Sequence, residues 1–229
     1  AEMYIESEYK DLDQALTLLQ EAITKDPSNE DNYLLQGDAL YAKTPQDASP
    51  AIKSYNIVLD INKNSPRGKL RVANIYQAAQ NYEEANKIYK EAIAIDSTFA
   101  PAYRERAEMF MRFDKMKLAI QDWKKYLALN SNVESRYRYA NAMFAAKQYC
   151  EVIEEVNTIN QAGFRNFYTE RMLAGSYAEC KSLENGAQIG LDASDRFFTL
   201  VPAANINFID YKIRGSLLMK LGKDSLGLL

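Results

Sequence analysis

Alanine returns at positions 15, 51, 85 and 119, each time at the opening of an apolar helical stretch, at intervals of 36, 34 and 34 residues. A period of this length holds one helix-turn-helix unit, and such a unit cannot bury its apolar face alone. Copies must therefore stack on one another. The fold class this predicts is all-α, a right-handed superhelical solenoid of antiparallel helix pairs. With only 9 Gly and 6 Pro in 229 residues, the chain has few breakers to interrupt such helices.

The unit is written most fully in the third copy. Its first helix carries Val72-Ala73 and Tyr76, and its second carries Ala85, Tyr89 and Ala92-Ile93 before Asp96-Ser97. The second copy has Tyr33, Gly37, Leu40, Ala51, Tyr55 and Val58-Leu59 at matching places. The fourth has Tyr103, Ala107, Phe110, Ala119, Trp123 and Tyr126-Leu127. Second helices close on related strings, Ala22 to Pro27, Ala92 to Ser97 and Phe197 to Pro202, where a proline past the last turn cannot continue the helix. This pattern of small and aromatic residues resembles the tetratricopeptide repeat (TPR), in particular bacterial-type TPR solenoid proteins. The small residues would let paired helices approach while the aromatics fill the space between them.

Read as copies of that unit, the chain divides into a partial repeat at 1–28 and repeats at 29–64, 65–98 and 99–132. Degenerate repeats follow at 133–164 and 165–204, and a partial repeat at 205–229. In the fifth copy Ile153 takes the alanine slot. In the sixth the slot falls on Gly190, which requires an insertion around Ser182-Leu183-Glu184-Asn185-Gly186. The first helix before Tyr9 is incomplete, and the chain stops at Gly227-Leu228-Leu229 where another second helix should start. We expect a piece of a longer protein, with uncapped ends through which it could form a homo-oligomer.

Catalysis has little to stand on. The chain contains no His, which removes the commonest general base and metal ligand. It also has no nucleotide-binding, hydrolase-elbow or metalloprotease motif. The acidic pairs Glu83-Glu84 and Glu154-Glu155 suit the first turns of helices, where the dipole favours negative charge. The expectation is a non-enzyme with no cofactor and no metal. Cys150 and Cys180 fit no zinc pattern, and two thiols cannot complete a four-ligand site. They fall near the turns of adjacent copies, so a disulfide is open if their Cα atoms come within about 4.4–6.8 Å. The expectation is two unpaired thiols. No apolar run is long enough to span a bilayer.

The 28 Lys/Arg and 31 Asp/Glu are unevenly placed. Residues 1–100 hold 10 basic and 16 acidic side chains, and residues 101–229 hold 18 and 15. An overall charge of −3 argues against nucleic acid as a partner. In the family the chain resembles, first helices line a concave groove, and the slot after the large first-helix residue tends to face it. Here that slot holds Leu34 and Leu70, then Arg104, Arg138, Arg171 and Lys212. This basic ladder would favour an acidic segment of a protein or peptide, since guanidinium groups bind carboxylates in bidentate fashion. Tyr41, Arg71, Asn74 and Met111 complete the candidate groove, with Leu34, Asp38, Tyr41 and Leu70 at an acidic, more apolar end. Most aromatics fall in packing slots, Tyr211 among them, whereas Tyr41, Tyr139 and Tyr168 lie outside those slots and are expected to be exposed.

The family's carboxylate clamp for chaperone C-termini is not written here. Asn74 matches one position, but Leu70, Glu105, Ser135 and Tyr139 replace its other residues. The resemblance implies a non-catalytic scaffold or adaptor binding protein or peptide along its groove. Its rivals are a sensory or regulatory module of a longer enzyme or signalling protein, and an architectural self-association module. Low cysteine content and the absence of Asn-X-Ser/Thr lean toward a bacterial protein, and the irregular repeats resemble those of envelope proteins.

Overall fold

Seven helix starts among the described residues are set by short polar side chains that satisfy otherwise orphaned backbone amides. In the computed structural model, which describes residues 11–183 and 185–223, Asp11, Asn29, Ser65, Asn81, Asn132, Asn166 and Asn207 each accept a hydrogen bond from a first-turn amide. The helices that result are α1 (Leu12–Lys25), α2 (Glu30–Lys43), α3 (Ser49–Ile61), α4 (Pro66–Ala78), α5 (Tyr82–Ile95) and α6 (Ala100–Arg112). They continue with α7 (Met116–Leu129), α8 (Val133–Ala145), α9 (Tyr149–Gln161), α10 (Phe167–Glu179), α11 (Gly186–Leu200) and α12 (Phe208–Lys220), with a short 3-10 turn at Ala203–Asn205. No strand occurs among the described residues. The incomplete first helix before Tyr9, Glu184 of the insertion, and the chain end at Gly227-Leu228-Leu229 lie outside them.

Three connections within pairs, at 79–81, 113–115 and 146–148, have three residues each. In each a single non-glycine residue takes the left-handed conformation: Gln80 (φ 60°), Asp114 (φ 55°) and Lys147 (φ 61°). Recurrence of this uncommon geometry shows that the turn is dictated by the packing of the helices it joins. The connection between Glu179 of α10 and Gly186 of α11 is longer.

The chain forms two compact units, residues 1–109 and 110–229. In the first, the recurring alanines Ala15, Ala51 and Ala85 have no exposed surface, and Tyr55 and Tyr89 are buried beside them. Gly37 on α2 explains the closeness of α2 and α3. A Cβ built there would lie 2.2 Å from the Tyr55 ring, so the ring occupies the space a side chain would need. In the second unit Trp123 packs edge-on against Tyr126, with centroids 5.6 Å apart. A continuous core then joins α8 to α12 through Val152, Val156, Ile159, Leu173, Leu191 and Leu217. Gly190, in the slot the other copies give to alanine, would place a Cβ 2.6 Å from Tyr177 and 2.8 Å from Leu217. Helix α10 contacts α8, α9, α11 and α12. Its residues from Met172 to Ala178 are accordingly all buried.

Two expectations fail. Cys150 and Cys180 are bridged, with Cα atoms 5.2 Å apart. Antiparallel packing of α9 and α10 brings the start of one beside the end of the other, a proximity that a spacing of 30 residues does not reveal. Tyr211 is 57% exposed rather than packed, because its ring stacks only on Phe198 at 5.1 Å and no described element covers its outer side. Tyr168 is exposed as expected, whereas Tyr41 and Tyr139 are half-buried.

Gly37→Ala tests the packing argument because two effects oppose. Helix propensity gains up to about 1 kcal/mol, while overpacking costs about 1–3 kcal/mol, and Tyr55 is held by a hydrogen bond from its hydroxyl to Asp38. We expect a net loss of stability in urea denaturation. Replacing both cysteines with serine should cost about 2–4 kcal/mol by the same measurement. Denatured, unreduced protein should titrate no free thiol.

Candidate functional site

Second helices supply most of the buried aromatic side chains, Tyr55, Tyr89, Trp123, Tyr126 and Phe197, while the groove residues singled out by the sequence lie on one face of the first helices. In the first unit this face is organised around Asp38. Its carboxylate accepts from the Tyr55 hydroxyl at 2.8 Å and from Arg71 Nε and Nη2 at 2.8 and 2.9 Å. The bidentate pair ties α4 to α2. Burial, and then the Asp38 charge, push the Tyr55 hydroxyl far above its ordinary range. Burial pulls the Arg71 guanidinium down, but the hydrogen bonds to Asp38 together with the charges of Asp38, Tyr55 and Glu105 leave its net shift upward. Arg71 is thus half-buried and engaged within the fold.

Asn74 is half-buried too, its amide oxygen 2.7 Å from the Tyr89 hydroxyl. Arg104 is exposed and pairs with its neighbour Glu105 at 2.6 Å. Leu34 and Leu70, placed in the groove by the slot pattern, are 2% and 4% exposed and belong to the core. The same slot that swings a guanidinium into water folds a leucine inward, because apolar surface gains from leaving water.

In the second unit Met111 is half-buried, its sulfur accepting a hydrogen bond from Trp123 Nε1 at 3.4 Å. Arg138 and Lys212 are exposed, and Lys212 has no ion-pair partner among the described residues. Arg171 differs. Its Nε and Nη2 donate to the two carboxylate oxygens of Asp210 at 2.8 and 2.9 Å, and Nη2 also donates to the Asn205 carbonyl at 2.8 Å. Its guanidinium lies 4.7 Å from the centroid of the Phe197 ring. Asp210 is buried and caps α12 by accepting from the Asn207 amide. Arg171 therefore staples α10 to α12, and this rung of the ladder is occupied within the fold.

The sequence reading also passes over Glu170, whose side chain is fully buried between Arg196 Nε at 3.0 Å and Arg165 Nε at 3.2 Å. Two guanidinium groups balance one carboxylate, which marks a structural junction. No signal in the sequence separates Glu170 from other helical glutamates. For Asp210, by contrast, the Asn-X-X-Asp spacing from Asn207 is a legible capping pattern. Among the described residues no group of three or more His, Cys, Asp or Glu could hold a metal, and no helix is long and apolar enough to cross a membrane.

No family model matches the chain. An N-terminal acetyltransferase A complex subunit-like protein of Schizosaccharomyces pombe is 22% identical over 180 residues, 78% of this chain. The chain spans only 26% of that relative's length. Among solved structures, YrrB, a TPR protein with an unusual peptide-binding site, superposes with a TM-score of 0.62 at 12% identity, covering 92% of this chain and 95% of its own. A tetratricopeptide repeat protein from Parabacteroides merdae superposes with a TM-score of 0.57 at 21% identity, covering 95% and 83% respectively. The fold is the tetratricopeptide-repeat solenoid.

Charge reversal separates the two kinds of cation. Arg171→Glu should lower stability by about 3 kcal/mol, since it leaves Asp210 buried beside a like charge. Lys212→Glu should stay within about 0.5 kcal/mol of the parent. Urea denaturation of both variants checks this.

Proposed function

Given a tetratricopeptide-repeat fold, we propose that this chain is a non-catalytic scaffold that binds a protein or peptide on its first-helix faces and favours an acidic segment. The observation that carries this reading is the division of labour between side chains. Arg71 and Arg171 join first helices through bidentate pairs, whereas Arg104, Arg138 and Lys212 lie exposed at one repeated slot of their own helices. Cations at the surface are placed where a partner's carboxylates can meet them. Helices already packed hold these side chains in position, so the partner bears most of the ordering cost of binding.

YrrB supports the reading as a fold neighbour with a peptide-binding site, and the yeast relative as a complex subunit-like protein. The acidic preference rests on the exposed cations alone. Affinity capture from native extract with the parent chain and with R104E/R138E/K212E provides the test. The parent should retain polypeptides at low salt that the variant loses, and added salt should weaken retention. Equal retention by both removes the basic face from the function, and no retained polypeptide overturns the scaffold.

A further inference from the structure

A cavity of about 500 Å³ lies in the second unit, away from the first-helix slots, between the α6–α7 turn with the start of α7 and the end of α8 with the α8–α9 turn. Lys115, Lys117 and Lys147 rim it against one carboxylate, Asp114. All three lysines are exposed, and among the described residues none has an ion-pair partner. In the same unit, half-buried Arg196 and Arg214 are instead paired with Glu170 and Asp195.

The wall between these charges is apolar. It is formed by Met116, Ala145, Ala146 and Leu118, which is 41% exposed. Helices α7 and α9 both begin at this cavity, and neither receives a side-chain cap from its own N-cap residue, Lys115 or Gln148. Their dipoles add to the positive field of the lysines.

We propose that this turn-edge cavity is a docking site for an acidic peptide segment of a partner protein, anchored by one apolar side chain. Carboxylates meet Lys115, Lys117 and Lys147, and the anchor covers Leu118. Charge complementarity selects the segment, since three unpaired ammonium groups on both walls attract alternating carboxylates. The apolar wall selects against a simple anion, which would leave Leu118 in water. This site shares no residue with the first-helix face, so either can fail without the other.

The test is fluorescence anisotropy at low and high salt with the whole chain and a labelled peptide, Glu-Asp-Glu-Leu-Asp-Glu-Asp. Controls are the peptide with serine in place of leucine and a double-stranded DNA oligonucleotide. K115E/K117E/K147E should weaken peptide binding by roughly tenfold or more, three exposed ion pairs being lost. The K115R/K117R/K147R variant should bind within about twofold of the parent. Circular dichroism confirms that each variant folds.

The inference is overturned by absence of peptide binding to the parent, by a Glu variant that binds as the parent does, or by equal affinity for the serine peptide. Tighter binding of DNA than of peptide at these lysines also overturns it. So does self-association of the parent that the Glu variant abolishes, which would make the occupant a second copy.

Discussion

The close approach of paired helices is the constraint from which the rest of this molecule follows. Where Gly37 faces Tyr55 and where Gly190 faces Tyr177 and Leu217, no room exists for even one additional carbon. Ala73, Ala107 and Ala174 serve the same purpose on other first helices, all buried. A pair held that near excludes water from its seam, and rings such as Tyr55 and Tyr89 fill it. The sequence-predicted groove residues lie on first helices, whereas the turn-edge cavity also takes Met116, Lys117 and Leu118 from the second helix α7.

Charge is used in two ways on this framework. Asp38 with Arg71, and Arg171 with Asp210, join one first helix to the next through bidentate bonds. Such pairs gain strength from partial burial and from hydrogen bonds that satisfy both carboxylate oxygens. Arg138, Lys212 and the three turn lysines are exposed instead. A ladder that looks uniform along the sequence is therefore heterogeneous in space, with its third rung serving stability.

The turn edge repeats this lesson at smaller scale. Asp114 and Lys147 occupy equivalent left-handed positions in successive copies, because the paired helices leave three residues to reverse the chain. Lys115, Lys117 and Lys147 are brought to one cavity by that repetition. Nothing in their sequence spacing separates them from the chain's other lysines.

The sequence alone was enough for the architecture. Repeat period and small-aromatic alternation are local patterns, and local geometry decides helix, turn and the need to stack. Only the tertiary structure decided what each side chain meets. Leu34 and Leu70 turned inward, Arg171 found Asp210 across 39 residues, and Cys150 met Cys180 where antiparallel helices bring distant ends together. The physical reason is common to these cases: a repeat pattern specifies the slot a residue occupies, whereas burial and pairing depend on which neighbours the stacking delivers to that slot.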